Sequence, residues 1–530
     1  MSGLMLVILA VVAFVVAYAT YGKWLAKKWG IDTNKVVPAK EFQDGVDYVP
    51  TKSFIVLGHH FASIAGAGPI VGPIVASVFG WAPVALWIIL GSIFVGGVHD
   101  FGSLFASLRH KGKTIGEIIR ANVGESGKTL FAIFAWLTLL IIIAAFNNIA
   151  ATTFVANPAV GATSIYFMVL AVLFGLAVNK FGVNIWVATV IGVILLFLGI
   201  PFGISFPVYL SKEAWMLLLI GYIMVASILP VWLLLQPRDY LNSFLLYAMV
   251  AGAILGIALY RPEFAIPAFN GFTVGNLTLF PMLFVLVACG AISGFHALVA
   301  SGTTSKQVQS EGDAKVIGYG GMLIEGVLAI CALLAAGYVT YDVAKGLGSP
   351  INVFANGIGT FMTAFGIDYT AGKVFVALAI SAFVLTTLDT AARIGRFTFE
   401  ELVSKGSKKN FLGNKYVASA LTVGVGGWLG FIPYTKVWPI FGAANQLLAS
   451  LALLAVAAYL KKSNKPAWMV MLPMVFMFIT TVTALTLTTW NNYLSGNMIL
   501  CITALVLLIL AVVLVIQAWK VLFVRSESKA

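Results

Sequence analysis

Long apolar runs alternate with short polar segments along almost the whole chain. A helix that crosses a bilayer needs about 20 mostly apolar residues, and by that measure the runs predict fifteen spanning helices. Their predicted bounds are 3–21, 54–79, 81–108, 129–154, 162–179, 183–200, 215–235, 240–260, 276–301, 315–340, 371–395, 415–432, 436–460, 467–488 and 496–522. The pattern therefore predicts an all-α polytopic membrane protein in which residues 1–530 form a single transmembrane domain.

The composition favours a membrane protein over a soluble one. Of the 530 residues, 61% are hydrophobic and only 10% are charged, whereas soluble domains carry about 25% charged residues. The net charge of +13 does not indicate nucleic acid, because the basic residues are separated by apolar runs instead of sharing one water-facing patch. Cys289, Cys331 and Cys501 lie inside apolar runs and are predicted to be small buried hydrophobes. We therefore expect a lipid bilayer, and no nucleic acid, around this chain.

The basic residues also predict the orientation, because cytoplasmic loops of membrane proteins are enriched in Lys and Arg. With segment 109–128 placed in the cytoplasm and the sides alternating from there, 27 of the 32 Lys and Arg fall on cytoplasmic segments. The external ones are Lys212, Arg261, Lys345, Lys373 and Lys436. Losing or adding one helix in mid-chain would destroy this split. It therefore supports the helix count, and it predicts an inner (cytoplasmic) membrane protein with its N-terminus outside and its C-terminus in the cytoplasm.

The second predicted helix carries glycines and prolines in its middle, in the run 58–73 (GHHFASIAGAGPIVGP). These residues cannot sustain an unbroken hydrogen-bond ladder, and broken backbone survives in lipid only where protein, ligand or water satisfies it. The N–H groups freed at the start of the second half-helix suit a carboxylate, although a proline kink tolerated by neighbouring helices is the simpler alternative. The candidate substrate-binding residues of this run are His59, His60, Ser63, Gly66, Ala67 and Gly68.

A second interruption is predicted at Ser227 to Pro230, in the helix 215–235. It lies five helices after the first and in a helix of opposite direction. This is the layout of a transporter built from inverted repeats, whose site lies between two broken helices near the midplane. The sequence therefore predicts a 5+5 inverted repeat with Ser227 at the substrate site. Residues 54–200 and 215–395 form the predicted repeats, and 1–53 and 415–522 carry additional helices.

Ionisable residues inside spans are functional candidates, because a charge in lipid is costly. Glu325 lies deep in its helix and is a candidate proton carrier with no base beside it in the sequence. The adjacent His99 and Asp100 form either a proton-carrying or a structural pair. Asp389 and Arg393 are four residues apart, which predicts an ion pair on one helix face, with ion coupling through Asp389 as the alternative.

Uncharged polar residues and one further histidine supply the remaining candidates. A cluster of hydroxyls ends the predicted helix 276–301, and it could either complete a Na⁺ site with the carbonyls of a broken helix or cap the helix end. His296 lies deeper in that helix and is a candidate substrate contact. Asn147 and Asn148 could bind substrate or form hydrogen bonds between helices. The hydroxyl cluster comprises Ser301, Thr303 and Thr304.

The sequence predicts neither a cofactor nor a metal. No two of the five histidines have the His-x3-His spacing of a zinc site, which needs three or four converging ligands. The chain contains no Walker A sequence, and no nucleophile–base pair of an enzyme can be assembled from its histidines and carboxylates. A coupling ion, either a proton or Na⁺, is therefore the expected source of energy.

Five sequence blocks between residues 42 and 449 carry a further signal. They are 42–51 (FQDGVDYVPT), 58–69 (GHHFASIAGAGP), 97–101 (GVHDF), 387–393 (TLDTAAR) and 438–449 (WPIFGAANQLLA). Together they resemble the signature of the carbon-starvation protein A family. The resemblance implies a nutrient importer of the inner membrane, linked to uptake of peptides and of pyruvate. It also implies the LeuT-like architecture of amino-acid–polyamine–organocation transporters.

The resemblance narrows the expected cargo to a small carboxylate, pyruvate, or to a short peptide. Its carboxylate is expected at Gly66 to Gly68, and a proton is preferred over Na⁺ as the coupling ion. A Na⁺-coupled peptide or amino-acid transporter is one alternative. A membrane nutrient sensor that does not transport is the other.

Overall fold

The fold is helical almost throughout, and the computed structural model describes residues 2–44, 48–230, 233–403 and 411–519. The first helices are α1 (Gly3–Ala19), α2 (Tyr21–Trp29), α3 (Pro38–Glu41), α4 (Ser53–Ile64), α5 (Gly68–Ala76), α6 (Trp81–Gly91), α7 (Gly97–Arg109), α8 (Ile115–Asn122), α9 (Glu125–Ala156), α10 (Pro158–Asn179), α11 (Ile185–Ser205), α12 (Lys212–Ile228) and α13 (Leu235–Tyr260). A small antiparallel hairpin follows, β1 (Thr273–Val274) and β2 (Leu277–Thr278). The remaining helices are α14 (Leu279–Leu286), α15 (Gly294–Gly302), α16 (Gly321–Gly337), α17 (Tyr341–Gly346), α18 (Pro350–Met362), α19 (Tyr369–Val403), α20 (Lys415–Leu429), α21 (Tyr434–Lys462), α22 (Trp468–Leu494) and α23 (Met498–Trp519).

Eleven helical segments of the described chain are long and apolar enough to cross a membrane, and the bent pair α4–α5 would make a twelfth. This confirms a polytopic helical membrane protein. Three of the predicted spans fall short of that length. Helices α12 and α20 have 17 and 15 residues, and the predicted span 276–301 is divided. The count of fifteen spans therefore stays a prediction.

The first predicted interruption is present. Helix α4 ends at Ile64, α5 begins at Gly68, and the two half-helices are bent by 46°. Pro69 stands in the first turn of α5, where its missing N–H leaves no intrahelical bond unmade. The glycines and the proline thus end one half-helix and begin the next, as the sequence predicts.

The second predicted interruption was wrong, because Ser227 to Pro230 is the end of a helix. Helix α12 stops at Ile228, and Leu229 is extended, the conformation favoured before a proline. The side chain of Arg393 in α19 donates to the carbonyls of Ala226 and Leu229 at 2.8 and 2.6 Å. A neighbouring helix therefore satisfies the carbonyls that the end of α12 leaves open.

The second broken helix lies instead within the predicted span 276–301. Helix α14 ends at Leu286 and α15 begins at Gly294, and the residues between them are non-helical. That connecting run, 287–293 (VACGAIS), is mostly apolar and has no proline. The hydropathy pattern therefore predicts one continuous helix across α14 and α15, which is why the break between them was missed.

The two broken helices pack directly on each other at their breaks, and this contact depends on glycines. A Cβ atom on Gly68 would collide with the side chain of Cys289. A Cβ on Gly72 would lie 2.6 Å from the carbonyl oxygen of Leu286. Because larger residues would push α5 away from the connecting run, the glycines of the first broken helix set the distance between the breaks.

Two long helices, α9 with 32 residues and α19 with 35, pack along each other beside the breaks. Asn148 of α9 donates its amide to the carbonyls of Gly430 and Ile432, just after α20, at 2.8 and 3.2 Å. Its Oδ1 accepts from Lys212 Nζ at 3.0 Å. Asn148 therefore satisfies the end of α20 as Arg393 satisfies the end of α12.

Two shorter helices cover the ends of the bundle. Between the predicted spans 315–340 and 371–395, helix α18 buries most of its residues and packs against α5, α13, α16 and α19. In the predicted cytoplasmic loop 109–128, helix α8 is amphipathic and packs against α9 and α21.

We expect Arg393→Ala to destabilise the protein, because it leaves the carbonyls of Ala226 and Leu229 without a donor in an apolar setting. An unsatisfied buried polar group costs about 1–3 kcal/mol, so the apparent melting temperature in detergent should fall by several degrees. The control is Arg120→Ala, which removes an exposed arginine paired with Glu117 and should cost far less. Equal melting temperatures for the two variants would contradict the capping role of Arg393.

Candidate functional site

His296, in the first turn of α15, lies at the centre of a buried ionic cluster. Its Nδ1 is 2.9 Å from Oδ2 of Asp100, and its Nε2 is 3.3 Å from Oε2 of Glu325. The other oxygen of Asp100 is 2.6 Å from Nδ1 of His99. All four side chains are fully buried. The structure thus brings together four predicted site residues from three separate helices, α7, α15 and α16, and gives Glu325 the base it lacks in the sequence.

The geometry of this cluster defines where a proton can be exchanged. A carboxylate only accepts hydrogen bonds, so an ionised Asp100 fixes hydrogens on Nδ1 of both His99 and His296. Nε2 of His296 then faces Glu325, and the pair can share one proton, as imidazolium and carboxylate or as imidazole and carboxylic acid. Removing that proton leaves two buried carboxylates close to a neutral imidazole, a costly state in a low dielectric.

Both carboxylates follow an irregular turn of helix. A π-helical turn at Ser92–Gly96 precedes α7, which carries Asp100, and a second one at Lys315–Gly320 precedes α16, which carries Glu325. Such turns occur frequently at functional sites. The sequence gives no signal for them beyond the glycines at their ends.

His60 ties the first broken helix to the second. Its Nδ1 is 2.8 Å from Oγ1 of Thr304, which follows α15. Its Nε2 has no partner among the described residues. That edge of the ring lies against Gly321, where a Cβ atom would be 3.9 Å from Nε2, one helical turn before Glu325. The first half-helix therefore ends beside the ionic cluster.

The break between α4 and α5 presents hydrogen-bond donors that the described backbone does not use. The N–H of Gly66 turns back to the carbonyl of Ile64 at 2.8 Å, but the N–H groups of Ala67 and Gly68 bond to no backbone carbonyl of the described chain. The Oγ1 of Thr387 in α19 lies 2.5 Å from where a Cβ on Gly66 would be, and it too has no partner there. Two unused N–H groups and an unused hydroxyl thus lie close together in the chain's fold at the break before α5.

At the second break the N–H groups of Ser293 and Gly294 likewise bond to no backbone carbonyl of the described chain, but a side chain of the protein is bonded to the helix start. Oδ1 of Asn445 in α21 accepts from the N–H of Phe295, in the first turn of α15, at 3.0 Å. Nδ2 of Asn445 donates to Oγ of Ser293 at 3.0 Å. Because a side chain of the protein already occupies the start of α15, an anion is better placed at α5. Asn445 and Thr387 were missed as site residues, although both lie in sequence blocks that carry the family resemblance.

The three hydroxyls predicted as Na⁺ ligands do not converge. Ser301 donates to the carbonyl of Ala297 and accepts from the N–H of Ile115, which fixes α8. Thr303 is exposed, and Thr304 contacts His60. Their positions favour the predicted alternative, in which they cap the end of the helix, over a Na⁺ site.

Asp389 and Arg393 do not form the predicted ion pair with each other, and that prediction was wrong. Asp389 pairs with Arg238 of α13 and accepts from Oη of Tyr222 at 2.7 Å, whereas Arg393 caps α12. Tertiary packing decides the partners, because side chains of α12 and α13 approach the same face of α19. Arg238 was missed as a partner of Asp389 because a charged residue at the start of a predicted span is normally taken to mark the membrane boundary.

The other predicted contacts lie away from the break or serve the backbone. Ser63 donates to the carbonyl of His59 at 2.9 Å. Ser227 donates to Ser419 of α20 at 3.0 Å. Asn148 caps α20, while the amide of Asn147 is buried without a partner in the described chain. Of the predicted residues, those that surround the breaks are His60, Gly66, Ala67, Gly68, His99, Asp100, His296, Thr304 and Glu325.

The chain matches the model of one protein family over almost its whole length. The family is described as carbon starvation protein CstA, and the matched residues are 2–353 and 343–484. The peptide transporter CstA of Escherichia coli is 33% identical over 91% of this chain and 80% of its own. The pyruvate/proton symporter BtsT of the same organism is 32% identical over 91% of this chain and 81% of its own. The peptide transporter CstA of Bacillus subtilis is 30% identical over 98% and 97%.

Solved structures of distant transporters also resemble the chain. A manganese transporter of Eremococcus coleocola in complex with an aromatic bis-isothiourea compound aligns over 90% of this chain and 99% of its own, with a TM-score of 0.48 and 11% identity. A Na⁺-coupled sialic acid symporter in a substrate-bound outward-open state aligns over 98% and 97%, with a TM-score of 0.41 and 12% identity.

We expect Gly66→Ala to disturb the break, because its Cβ would lie 2.5 Å from Oγ1 of Thr387. The apparent melting temperature in detergent should fall. Adding Thr387→Ala should restore it, since the remaining Cβ of residue 387 would be 3.6 Å away, an ordinary contact. Adding Thr387→Ser, which keeps the hydroxyl, is the matched control and should restore little. Equal recovery with Ala and with Ser would show that Thr387 does not lie against Gly66.

Proposed function

Because the chain belongs to the carbon starvation protein CstA family, we propose that it imports pyruvate or short peptides across the inner membrane as a proton-coupled secondary transporter. The family and the curated relatives support transport itself. The observation that carries the substrate class is the group of unused donors at Ala67, Gly68 and Thr387. An anion at the start of a helix gains both from the exposed N–H groups and from the helix dipole.

The substrate carboxylate binds at the start of α5, opposite Cys289 of the second break. The N–H groups of Ala67 and Gly68 donate to its oxygens, and Thr387 donates a third hydrogen bond. A helix start supplies only partial positive charge, so it favours a monocarboxylate such as pyruvate over a dianion. A short peptide would place its C-terminal carboxylate on the same donors.

The coupling proton binds between His296 and Glu325. The carbonyl of Ile64, the last residue of α4, faces the imidazole of His296, so the proton site adjoins the substrate site. An anion approaching the cluster is repelled less once a proton has removed one negative charge from it. By linkage, the bound anion strengthens proton binding by the same factor. Substrate and proton are therefore carried together.

The inverted repeat is shifted from the arrangement that the sequence predicts. One repeat comprises α4–α9 with α12 and α13, the other comprises α14–α21, and α10 and α11 are inserted. Support comes from the reciprocal caps, since Asn148 lies 23 residues after the start of α9 and Arg393 lies 24 after the start of α19. Each repeat also has a broken first helix and a π-helical turn in its second. The two broken helices are seven spans apart in chain order, so they run in opposite directions.

Transport and its coupling are tested with purified protein in liposomes and ¹⁴C-pyruvate. We expect accumulation driven by an inward proton gradient and competition by unlabelled dialanine if both substrates share the site. Glu325→Gln should abolish accumulation but keep exchange of internal for external pyruvate, because exchange needs no net proton movement. The matched control is Glu213→Gln, an exposed residue of α12. Uptake that does not depend on the proton gradient, or that depends on a Na⁺ gradient instead, would refute proton coupling.

The orientation proposed from the basic residues, with the C-terminus in the cytoplasm, is tested with reporter fusions. A green fluorescent protein joined to the C-terminus should fluoresce, because it folds in the cytoplasm, and an alkaline phosphatase inserted after Gly346 should be active outside. Active phosphatase on the C-terminus would reverse the assignment.

A further inference from the structure

One face of α7 continues from the buried ionic cluster toward the end of that helix. It carries Asp100, Ser103 and Ser107, at spacings of three and four residues. Residues at these spacings lie on a single stripe of a helix. All three side chains are fully buried. The stripe is therefore a buried line of polar groups that leads from the carboxylate of the cluster to the last turn of α7.

The stripe faces α15 at both of its ends. Oδ2 of Asp100 is 2.9 Å from Nδ1 of His296, in the first turn of α15. Oγ of Ser107 is 3.3 Å from the carbonyl oxygen of Ser301, near the end of α15. Because Ser103 lies between Asp100 and Ser107 on the same stripe, it faces α15 as well. We call the contact between the two helices, with these five residues on it, the α7–α15 seam.

The hydroxyl of Ser103, in the middle of the seam, has no partner among the described residues. Many other buried hydroxyls of this chain donate to the carbonyl four residues earlier, as Ser301 does to Ala297 at 2.6 Å. The Nε2 atom of His99, one helical turn before Ser103, is also buried without a partner there. Buried polar groups are normally paired with protein or with ordered water, so the seam has the polar lining that a proton path needs.

The far end of the seam lies next to water. Oγ of Ser107 donates to the carbonyl of Lys113 at 2.7 Å, in the segment that joins α7 to α8. Lys113 is exposed. The start of α8 is fixed to the same place, because the N–H of Ile115 donates to Oγ of Ser301 at 3.1 Å. In the proposed orientation this segment lies on the cytoplasmic side, so the seam joins the ionic cluster to that side.

The corresponding stripe of α16, which carries the other carboxylate of the cluster, is apolar. Helix α16 follows the second π-helical turn as α7 follows the first. Leu328 and Ala332 stand three and seven residues after Glu325, and both are buried. The spans of α7 and α16 end on opposite sides of the membrane in the proposed orientation. Of the two stripes, the polar one therefore leads to the cytoplasmic side.

From these contacts we propose that the α7–α15 seam is the path by which the coupling proton leaves for the cytoplasm, with Ser103 as its relay. The proposal rests on the proposed function, which places the proton between His296 and Glu325.

The transfer begins at the imidazolium of His296, which gives its Nδ1 proton to Oδ2 of Asp100 and keeps the hydrogen on Nε2. Asp100 then passes the proton along the seam. Oγ of Ser103 accepts it and gives its own hydrogen to water beside Ser107. Asp100 is again a carboxylate and Ser103 again a neutral hydroxyl, while His296 is left as a neutral imidazole. One proton has left the cluster, and no other reactant is required.

The hydroxyl of Ser103 is tested with two variants of nearly equal shape. Ser103→Thr keeps the hydroxyl, and Ser103→Val replaces it with a methyl group. In liposomes that contain a pH-sensitive dye, Ser103→Val should slow pyruvate-driven acidification of the interior by about tenfold or more, because it removes a positioned proton-transfer group. Ser103→Thr should acidify the interior as wild type does. Exchange of ¹⁴C-pyruvate needs no net proton movement and should be normal in both variants.

The matched control is Ser381→Ala, which removes an equally buried hydroxyl without a partner in the described chain from α19. Its rate of acidification should match wild type. Ser103→Ala deletes only the oxygen and should slow acidification in the same direction as Ser103→Val, so it serves if the larger side chains prevent folding. Equal acidification in Ser103→Val and Ser103→Thr, or loss of exchange together with acidification in Ser103→Val, would overturn the proposal.

A second measurement needs neither substrate nor a proton gradient. At acidic pH, the infrared C=O stretch of the protonated Glu325 carboxyl is identified by its loss in Glu325→Gln, and it shifts when heavy water replaces the hydrogen with deuterium. We expect this exchange to be about tenfold slower in Ser103→Val than in Ser103→Thr. If wild-type protein does not use a proton gradient, the proposed function fails, but the exchange rate still decides whether the seam carries protons. Equal rates in the two variants would contradict the path.

Discussion

The constraint on which this structure depends is that a bilayer offers no water to backbone that leaves a helix. At three places where described helices begin or end, a polar side chain of another helix supplies a missing partner. Arg393 serves the end of α12, Asn148 the end of α20, and Asn445 the start of α15. The start of α5 differs, because no side chain of the described chain bonds to the N–H groups of Ala67 and Gly68, and the unpaired hydroxyl of Thr387 lies beside Gly66. In the proposed function, a substrate carboxylate completes this position.

The start of α5 lies close to the buried ionic cluster of Asp100, His296 and Glu325, where the coupling proton is proposed to bind. The same low dielectric that makes free backbone groups costly makes a second buried carboxylate costly, so Asp100 and Glu325 cannot both stay ionised around a neutral His296 without strong repulsion. A bound proton reduces this repulsion. In the proposed function, a bound anion accepts hydrogen bonds from the unused donors. Because both proposed sites lie at the end of α4, we expect movement of this half-helix to expose both of them to the same side of the membrane.

Much of the helical fold follows from hydropathy, since most apolar runs of bilayer length are helices in the structure, whereas the orientation drawn from the basic residues stays a prediction. The first break was predictable because glycine and proline mark it directly at Gly66 to Pro69. The second was not, because the run 287–293 is apolar and is held open by Asn445, more than a hundred residues away. The site could be predicted where a residue is unusual in its own helix, as for His60 and Glu325. Partners such as Arg238 for Asp389 are fixed only by packing.

The central claim is that substrate binds between the two breaks, and Cys289 allows it to be tested directly, because its side chain lies against Gly68. In a variant with Cys331→Ala and Cys501→Ala, only this thiol remains. We expect a small methanethiosulfonate reagent to label Cys289 during the transport cycle, and saturating pyruvate or dialanine to slow the labelling. Labelling at an unchanged rate, in a preparation in which the same compound is transported, would place the substrate elsewhere and contradict this account.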